Sequence, residues 1–63
     1  MKINGEYTEE TFQSMEELLV SRGYNSKYVA VECNEQILPK TEYGVYVPKT
    51  DDVIEIVSFV GGG

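Results

Sequence analysis

The alternation of hydrophobic and polar positions divides the chain into short strands around one helix. At its start, two short segments, residues 1–3 and 6–11, flank Asn4 and Gly5. Asn-Gly is the strongest two-residue signal for a β-hairpin, because both positions accept positive φ. The sequence therefore opens with a predicted hairpin.

A helix is predicted directly after this hairpin. Ser14 and Glu17 form a capping box, in which the Ser14 hydroxyl accepts from the Glu17 amide and the Glu17 carboxylate reaches back. Gly23 supplies a left-handed stop, so the helix has about two turns. Its apolar face carries Met15, Leu18 and Leu19. This apolar face is expected to pack against a sheet.

Residues 28–34 form the next predicted strand, with one face that carries Val29, Val31 and Cys33. This face is expected to lie against the helix. A turn at residues 34–36 leads into a short strand, and Pro39 ends it because proline has no amide hydrogen to donate.

The second half of the chain is predicted to hold a loop and the longest strand. Residues 40–49 are irregular, which predicts a packed loop with one short helical turn, anchored by Tyr43, Tyr46 and Val47. Asp51 and Asp52 then turn the chain into residues 53–60, where β-branched residues are dense. This final segment is expected to be a central strand.

One helix across one face of a mixed sheet is an α+β arrangement that suits 63 residues. We expect four to five strands on one main helix, in a single domain over residues 1–60. Residues 61–63 are expected to be a flexible glycine tail. No apolar run reaches the length of a membrane span and the start lacks the apolar stretch of a signal peptide, so a cytoplasmic protein is expected.

The net charge of −6 changes the list of plausible partners. The five basic residues are scattered, whereas contacts to nucleic-acid phosphates need clustered Lys and Arg. Nucleic-acid binding is therefore not expected. The charge serves solubility or steers a partner with a basic surface towards the chain.

Conventional catalysis is difficult to build from this composition. The chain has no histidine, so the usual general base at neutral pH is missing. Its one cysteine, Cys33, lies in the apolar alternation of a strand and is read as a small buried hydrophobe. Asp51 and Asp52 are adjacent and read as a turn. The chain is therefore not expected to be an enzyme, to bind a metal or to hold a permanent cofactor.

The sequence ends on Gly61, Gly62 and Gly63, directly after the apolar strand. Such a run is a frayed end in one interpretation. In the other, three residues without Cβ atoms span at most about 10 Å and pass through a channel too narrow for side chains. The α-carboxylate, whose pKa is about 3.5, is a poor electrophile at neutral pH and needs activation by an adenylyl group from ATP.

Two blocks of the sequence, VAVECNEQILPK at residues 29–40 and DDVIEIVSFVGGG at residues 51–63, closely resemble the ThiS family of thiamine-pathway sulfur carriers. The resemblance implies a ubiquitin-like β-grasp fold. It also implies adenylation of Gly63 by a ThiF-type enzyme that uses ATP, conversion to a thiocarboxylate, and sulfur donation to a ThiG-type thiazole synthase. The sulfur would come from a donor such as a cysteine desulfurase persulfide.

The same resemblance assigns roles to residues beside the tail. Phe59 and Val60 would lie near the partner surface, and Lys40 stands where arginine is common in the family. We expect a small apolar patch around Phe59, flanked by acidic residues, that docks the activating enzyme. Alternation alone leaves open whether Phe59 packs in the core instead.

Two rival functions share the predicted fold. The small subunit of molybdopterin synthase has the same ending but tends to be longer. A non-covalent β-grasp binding module belongs to another class of protein, and in it the glycines would have no chemical role. Removal of Gly63 would distinguish the module from a carrier.

Overall fold

The computed structural model describes residues 1–59 and contains one helix and five strands. The elements are β1 (Lys2–Ile3), β2 (Glu6–Tyr7), α1 (Met15–Ser21), β3 (Val29–Cys33), β4 (Gln36–Leu38) and β5 (Val53–Ser58). The strands form one sheet in the order β2-β1-β5-β3-β4. Strands β1 and β5 are parallel and the other neighbours are antiparallel. The predicted mixed α+β sheet is confirmed, with β5 at its centre.

Two tight turns set the ends of the sheet. Asn4 and Gly5 have φ of 51° and 84°, which confirms the first hairpin. Asn34 and Glu35 have φ of 54° and 68°, so the β3–β4 turn is of the same two-residue kind. Gln36 was predicted in this turn but instead pairs with Cys33 as the first residue of β4. The predicted turn was one residue too long. Residues other than glycine rarely adopt positive φ, so the sequence did not indicate that Glu35 would be the second residue of a two-residue turn.

The helix begins and ends where its capping residues predict. The Glu17 amide donates to Ser14 Oγ over 3.1 Å, and the Glu17 carboxylate accepts from the Gln13 amide over 2.8 Å. Gly23 follows with φ of 82°. The N-terminal amides that a short helix leaves unpaired are thus partly satisfied by side chains.

The core lies between α1 and one face of the sheet, which we call the inner face. Its buried residues come from the helix, from the inner positions of the strands, from the long loop and from the segments just before β1 and α1: Met1, Ile3, Phe12, Met15, Leu18, Leu19, Val29, Val31, Cys33, Tyr43, Ile54 and Ile56. Alternation along β3 confirms the predicted inner positions, since Val29, Val31 and Cys33 are buried. In β5 the buried positions are Ile54 and Ile56.

The loop between β4 and β5 confirms the predicted short helical turn, a 3-10 turn at Lys40–Glu42. Tyr43 is buried and Tyr46 packs against the core, as expected. Val47 is 54% exposed, so its predicted role as an anchor is wrong. Pro48 is buried in its place. Two neighbours in an extended segment point to opposite sides, and only one of them can face the core.

No helix within residues 1–59 has both the length and the apolar character needed to cross a membrane.

Candidate functional site

The face of the sheet opposite α1, which we call the outer face, carries exposed side chains of β3, β4 and β5. Its members are Val53, Glu55 and Val57 on β5, Ala30 and Glu32 on β3, and Ile37 on β4. Phe59 follows β5 in the same alternation. Ile37 is 67% exposed, Val57 63% and Phe59 49%. The outer face is therefore partly apolar and open to solvent.

Phe59 and Lys40 meet at the end of this face where β5 leaves the sheet. The Phe59 amide donates to the Tyr28 carbonyl over 2.9 Å, which extends the β3–β5 pairing past the last residue of β5. Lys40 Nζ lies 5.5 Å from the centroid of the Phe59 ring. It also donates to the Lys27 carbonyl over 2.9 Å. This ammonium is thus held over an aromatic face, a favourable arrangement for a cation.

Sequence alternation left open whether Phe59 packs in the core, and its exposed fraction of 49% shows that it does not. Its ring is not among the buried core residues but lies on the outer face. The residue found against it is Lys40, a cation, whereas the prediction placed acidic residues beside Phe59. The acidic residues of this face lie further from Phe59: Glu32 follows Ala30 by two positions in β3, and Glu55 precedes Val57 by two positions in β5. The contact between Lys40 and Phe59 spans 19 positions of sequence, and alternation within single strands carries no signal for it.

The structure does not describe the other predicted site residues, which are Val60, Gly61, Gly62 and Gly63. The predicted flexibility of the glycines therefore stays a prediction. Central strand β5 runs through Ser58, and Phe59 is still hydrogen-bonded to the chain segment before β3. The glycines therefore follow closely on a segment that the sheet holds in place.

A polar cluster around the buried Asp52 was missed by sequence reasoning. Asp52 is only 3% exposed, and its carboxylate accepts from Asn34 Nδ2, Tyr46 Oη and the Lys49 amide over 2.9, 2.6 and 2.9 Å. Asn34 Oδ1 in turn accepts from the Val53 amide over 2.9 Å. Asp52 was predicted as a turn residue only. The cluster joins the long loop to the β3–β4 turn, which are distant in sequence.

The pKa values of this cluster show that it holds a charge without exposing a reactive group. Burial acts to raise the pKa of Asp52, but hydrogen bonds from Tyr46, Lys49 and Asn34 outweigh it and hold the pKa below its ordinary value. The bond to Asp52 raises the pKa of Tyr46. Burial raises the pKa of the Cys33 thiol, whose Sγ lies 3.4 Å from Tyr46 Oη. Cys33 is therefore a protonated, buried thiol, which confirms its structural interpretation.

Within residues 1–59, no three His, Cys, Asp or Glu side chains converge in a way that could hold a metal ion.

Comparison with known proteins decides the family. The family model described as "ThiS family" matches residues 1–63, the whole of the sequence. The chain belongs to the ThiS family. This match confirms the resemblance that residues 29–40 and 51–63 carry.

Among curated relatives, the sulfur carrier protein ThiS of Bacillus subtilis is 44% identical to this chain over 50 residues, which is 79% of this chain and 76% of the relative. A thiazole synthase of Magnetococcus marinus is 40% identical over 62 residues, or 97% of this chain. A thiazole synthase of Paramagnetospirillum magneticum is 44% identical over 64 residues, again 97% of this chain. This chain spans only 19% of the length of each of these two synthases.

Solved structures of a ThiS protein share the fold. The crystal structure of thiamine biosynthesis protein ThiS from Geobacter metallireducens has a TM-score of 0.76 and 29% identity, and the match covers 98% of this chain and 96% of that one. A solution structure of a thiamine biosynthesis protein from the same organism has a TM-score of 0.73 and 28% identity, with 98% and 85% covered. The β-grasp prediction is confirmed.

Proposed function

We propose that this chain is a sulfur carrier of thiamine biosynthesis whose reactive group is the carboxylate of Gly63. The observation that carries the proposal is the central position of β5, which the three glycines follow after Phe59 and Val60. Because β5 is paired with a strand on each side, the residues that lead to the glycines have a defined position in the sheet. The glycines themselves add no side-chain bulk. The match of the ThiS family over residues 1–63 supports the proposal.

The proposed chemistry takes place in two steps, and partner enzymes supply the catalysis in both. A carboxylate oxygen of Gly63 attacks the α-phosphorus of ATP, pyrophosphate leaves, and an acyl adenylate forms. Sulfide then attacks the acyl carbon and AMP leaves with the electrons of the C–O bond, which yields a thiocarboxylate. If the donor is a cysteine desulfurase persulfide, the first product is an acyl disulfide, and a thiol reduces it to the same thiocarboxylate.

Adenylation is the required activation because an ionised carboxylate is a poor acceptor for nucleophiles. At neutral pH the α-carboxyl, with a pKa of about 3.5, is almost entirely ionised. ATP belongs to the ThiF-type activating enzyme in this scheme, and this chain holds no cofactor of its own. The chain is then a co-substrate, consistent with its composition, which has no histidine and a single cysteine.

Thiazole synthase is the proposed acceptor of the sulfur. The support comes from the two relatives named thiazole synthase, in which a segment similar to 97% of this chain is part of the same polypeptide. A covalent link raises the effective concentration of one unit at the other. Such a link is expected between a carrier and the enzyme that receives its cargo.

Phe59 and Lys40 are the proposed docking point of the activating enzyme. They lie together at the exposed end of the outer face, and Phe59 precedes the first glycine by two positions. A half-exposed aromatic ring is the kind of group that dominates protein interfaces when a partner covers it. Val60, the next residue, is proposed to continue this contact, and Gly61 and Gly62 to pass through the enzyme's entrance.

The proposal is tested by intact-mass spectrometry of the purified protein before and after incubation with ATP, a cognate ThiF-type enzyme and a sulfide source. The initial mass must correspond to a free carboxylate at Gly63, and the product must show replacement of one oxygen by sulfur. An unchanged mass, under conditions in which a known ThiS protein is converted, would refute the carrier function.

Two matched variants separate a carrier from a non-covalent binding module. Deletion of Gly63, and extension of the chain by two residues beyond Gly63, both remove the reactive carboxylate from its required position. Each variant is expected to lose thiazole formation while its melting temperature stays close to that of the parent, because end residues contribute little to stability. Retained thiazole formation in either variant would show that the glycines have no chemical role.

A further inference from the structure

Strand β5 extends further than its neighbour on one side of the sheet. The last residue of β1, Ile3, pairs with Ile54, and β5 continues from there through Ser58. On the other side of β5, strand β3 pairs with it as far as Ser58. Within residues 1–59, the second half of β5 therefore has a neighbouring strand on one side only.

The side chain of Asn4 supplies a hydrogen bond on the side where β1 has ended. The Asn4 amide donates to the Ile54 carbonyl over 2.9 Å, as the next residue of a parallel ladder does. In such a ladder the carbonyl of the same residue then accepts from the amide two positions further along the partner strand. Here the Ile56 amide donates instead to Asn4 Oδ1, over 2.7 Å. Asn4 has φ of 51° and begins the turn towards β2, and its carboxamide oxygen takes the place of its backbone carbonyl.

The other end of the Asn4 carboxamide is held by Tyr24. Asn4 Nδ2 donates to Tyr24 Oη over 3.1 Å. Tyr24 packs against the core, and its amide donates to the Leu19 carbonyl of α1 over 2.9 Å. The opposite orientation of the carboxamide would place the Nδ2 donor against the Ile56 amide, which is also a donor. The side chain is therefore held in one orientation, between the central strand and the segment that follows α1.

Asparagine does more at position 4 than the turn requires. The Asn-Gly pair predicted only a two-residue turn, and glycine accepts positive φ at the same position. The two side-chain hydrogen bonds are what asparagine adds. Within residues 1–59, the bond from Ile56 to Asn4 is the last one that β5 makes on the side of β1. Without it, the rest of β5 would be held from the side of β3 alone.

The course of this part of β5 matters because it leads to the glycines. Residues 60–63 span at most about 14 Å, and the three glycines have no side chains by which a partner could direct them from a displaced starting point. A reacting group that is misplaced by about 1 Å can lose on the order of 100-fold in rate. A bond that restrains the strand before the glycines can therefore affect a reaction at the chain end.

We propose that Asn4 is a positioning residue for the adenylation of Gly63, and that it acts by holding Ile56 and with it the second half of β5. The proposal rests on the proposed function, in which the Gly63 carboxylate attacks the α-phosphorus of ATP and pyrophosphate leaves. Asn4 is separate from the proposed docking contact of Phe59 and Lys40. Its loss is therefore expected to lower kcat for adenylation and to leave KM for this chain nearly unchanged.

The test compares the same substitution at two asparagines that begin two-residue turns. Asn4→Gly keeps the turn and removes both side-chain bonds. Asn34→Gly is the matched control, because Asn34 has φ of 54° and its Oδ1 accepts over 2.9 Å from the amide of Val53, the first residue of β5. The two substitutions thus remove acceptors at different points of the same strand.

Exchange of labelled pyrophosphate into ATP, catalysed by a purified ThiF-type enzyme, gives kcat and KM for each full-length variant at a temperature where thermal melting shows it folded. Asn4→Gly is expected to lower kcat about tenfold or more, with KM within about twofold of the parent. Asn34→Gly is expected to keep kcat within about twofold. Its melting temperature should fall at least as far as that of Asn4→Gly, because it also loses the bond to Asp52.

Two further variants test the contacts of the side chain one at a time. Asn4→Asp keeps an acceptor for the Ile56 amide, and its second oxygen can accept from the Tyr24 hydroxyl, so kcat should stay within about threefold of the parent. Tyr24→Phe removes the partner of Asn4 Nδ2 and leaves the acceptor in place. Its kcat is expected to fall by about threefold, less than in Asn4→Gly.

Hydrogen exchange measured by NMR on the isolated protein reports whether Asn4 acts through β5. The Phe59 amide donates to the Tyr28 carbonyl at the end of the β3–β5 pairing. Its exchange should be about threefold or more faster in Asn4→Gly than in the parent, and should change less in Asn34→Gly. An unchanged exchange rate in Asn4→Gly would show that β3 alone holds this part of β5, and would overturn the proposal.

The kinetic results that would overturn it are a parent-like kcat in folded Asn4→Gly, an equal loss of kcat in Asn34→Gly, and a loss in Asn4→Asp as large as in Asn4→Gly. A raised KM with unchanged kcat would also overturn it, because Asn4 would then contact the enzyme directly. If Asn4→Gly does not fold, an unchanged kcat in Tyr24→Phe has the same consequence. Parent chain that supports exchange, together with equal exchange in Asn4→Gly, refutes the positioning role alone. A parent chain that supports none refutes the proposed function and the positioning role with it.

Discussion

The two faces of the sheet use the same kinds of residue for different purposes. The inner face buries Val29, Val31, Ile54 and Ile56 against α1 and leaves little of them accessible. The outer face carries Ala30 and Val57 from the same strands, with Ile37 from β4, and leaves them open to solvent. Alternating residues of one strand thus face opposite environments. In a domain this small, one covered face is enough for a core.

This difference separates the residues that hold the fold from the residues that are free to bind. Substitutions on the inner face are expected to act on the free energy of unfolding. Substitutions on the outer face are expected to act on partner affinity, because their side chains lose little contact area when the protein unfolds. The comparison fails if outer-face variants unfold the protein or if inner-face variants change binding at constant stability.

The largest expected effect on stability comes from the inner face. Leu19→Ala removes a fully buried side chain of α1 and is expected to lower the free energy of unfolding by about 2–5 kcal/mol. Val57→Ala on the outer face is the matched control, with an expected change of about 0.5 kcal/mol or less. Urea denaturation of both variants measures the difference. Similar losses in the two variants would contradict the division between the faces.

If Leu19→Ala leaves no folded protein to measure, Ile56→Val supplies a milder test at the same face. Its expected cost is about 0.5–1.5 kcal/mol, because a single methylene is removed from a buried position. A change near zero would show that the inner face is loosely packed.

An intermediate effect is expected for Asp52, which stabilises the loop beside the inner face. Asp52→Asn replaces an acceptor by a donor at a buried site and is expected to cost about 1–3 kcal/mol at pH 7. Since the folded protein holds the pKa of Asp52 below its ordinary value of 3.8, the carboxylate's contribution is complete above that pH. On acidification the unfolded chain takes up the proton first, so this contribution is lost as the pH falls through the folded pKa.

The measurement is urea denaturation of the parent and of Asp52→Asn at a series of pH values from 7 down to 2. The difference in stability between the two proteins should be greatest at neutral pH and shrink below the ordinary pKa of aspartate. Other acidic residues titrate in both proteins alike and cancel in this difference. A difference that is independent of pH would show that Asp52 is not ionised in the fold.

The smallest expected effect on stability comes from Phe59. Phe59→Ser on the outer face is expected to change the free energy of unfolding by less than about 1 kcal/mol, because the ring is half exposed and lies outside the core. Conversion to the thiocarboxylate by the activating enzyme should nevertheless slow. Lys40→Ala, which removes the cation over the ring, serves as the companion variant. A large fall in the melting temperature of Phe59→Ser would place the ring in the core instead.

Local sequence signals predicted most of the elements of this fold. Asn4 and Gly5 predicted the first turn, Ser14 and Gly23 the bounds of the helix, and Pro39 the end of β4, which stops at Leu38. Each signal depends on backbone conformation or on hydrogen bonds within a few residues of the chain. The alternation of apolar residues also separated the inner positions of β3 from its outer ones. The family resemblance pointed to Phe59 and Lys40.

Only the tertiary structure decided which of these residues meet. The sequence placed Glu32 on the outward side of its strand, but its direct opposition to Glu55 required the register between β3 and β5. The burial of Asp52 against Asn34, and the position of Lys40 over Phe59, likewise join segments far apart in sequence. Local propensities act over a few residues, whereas register and burial come from packing the whole chain around one core.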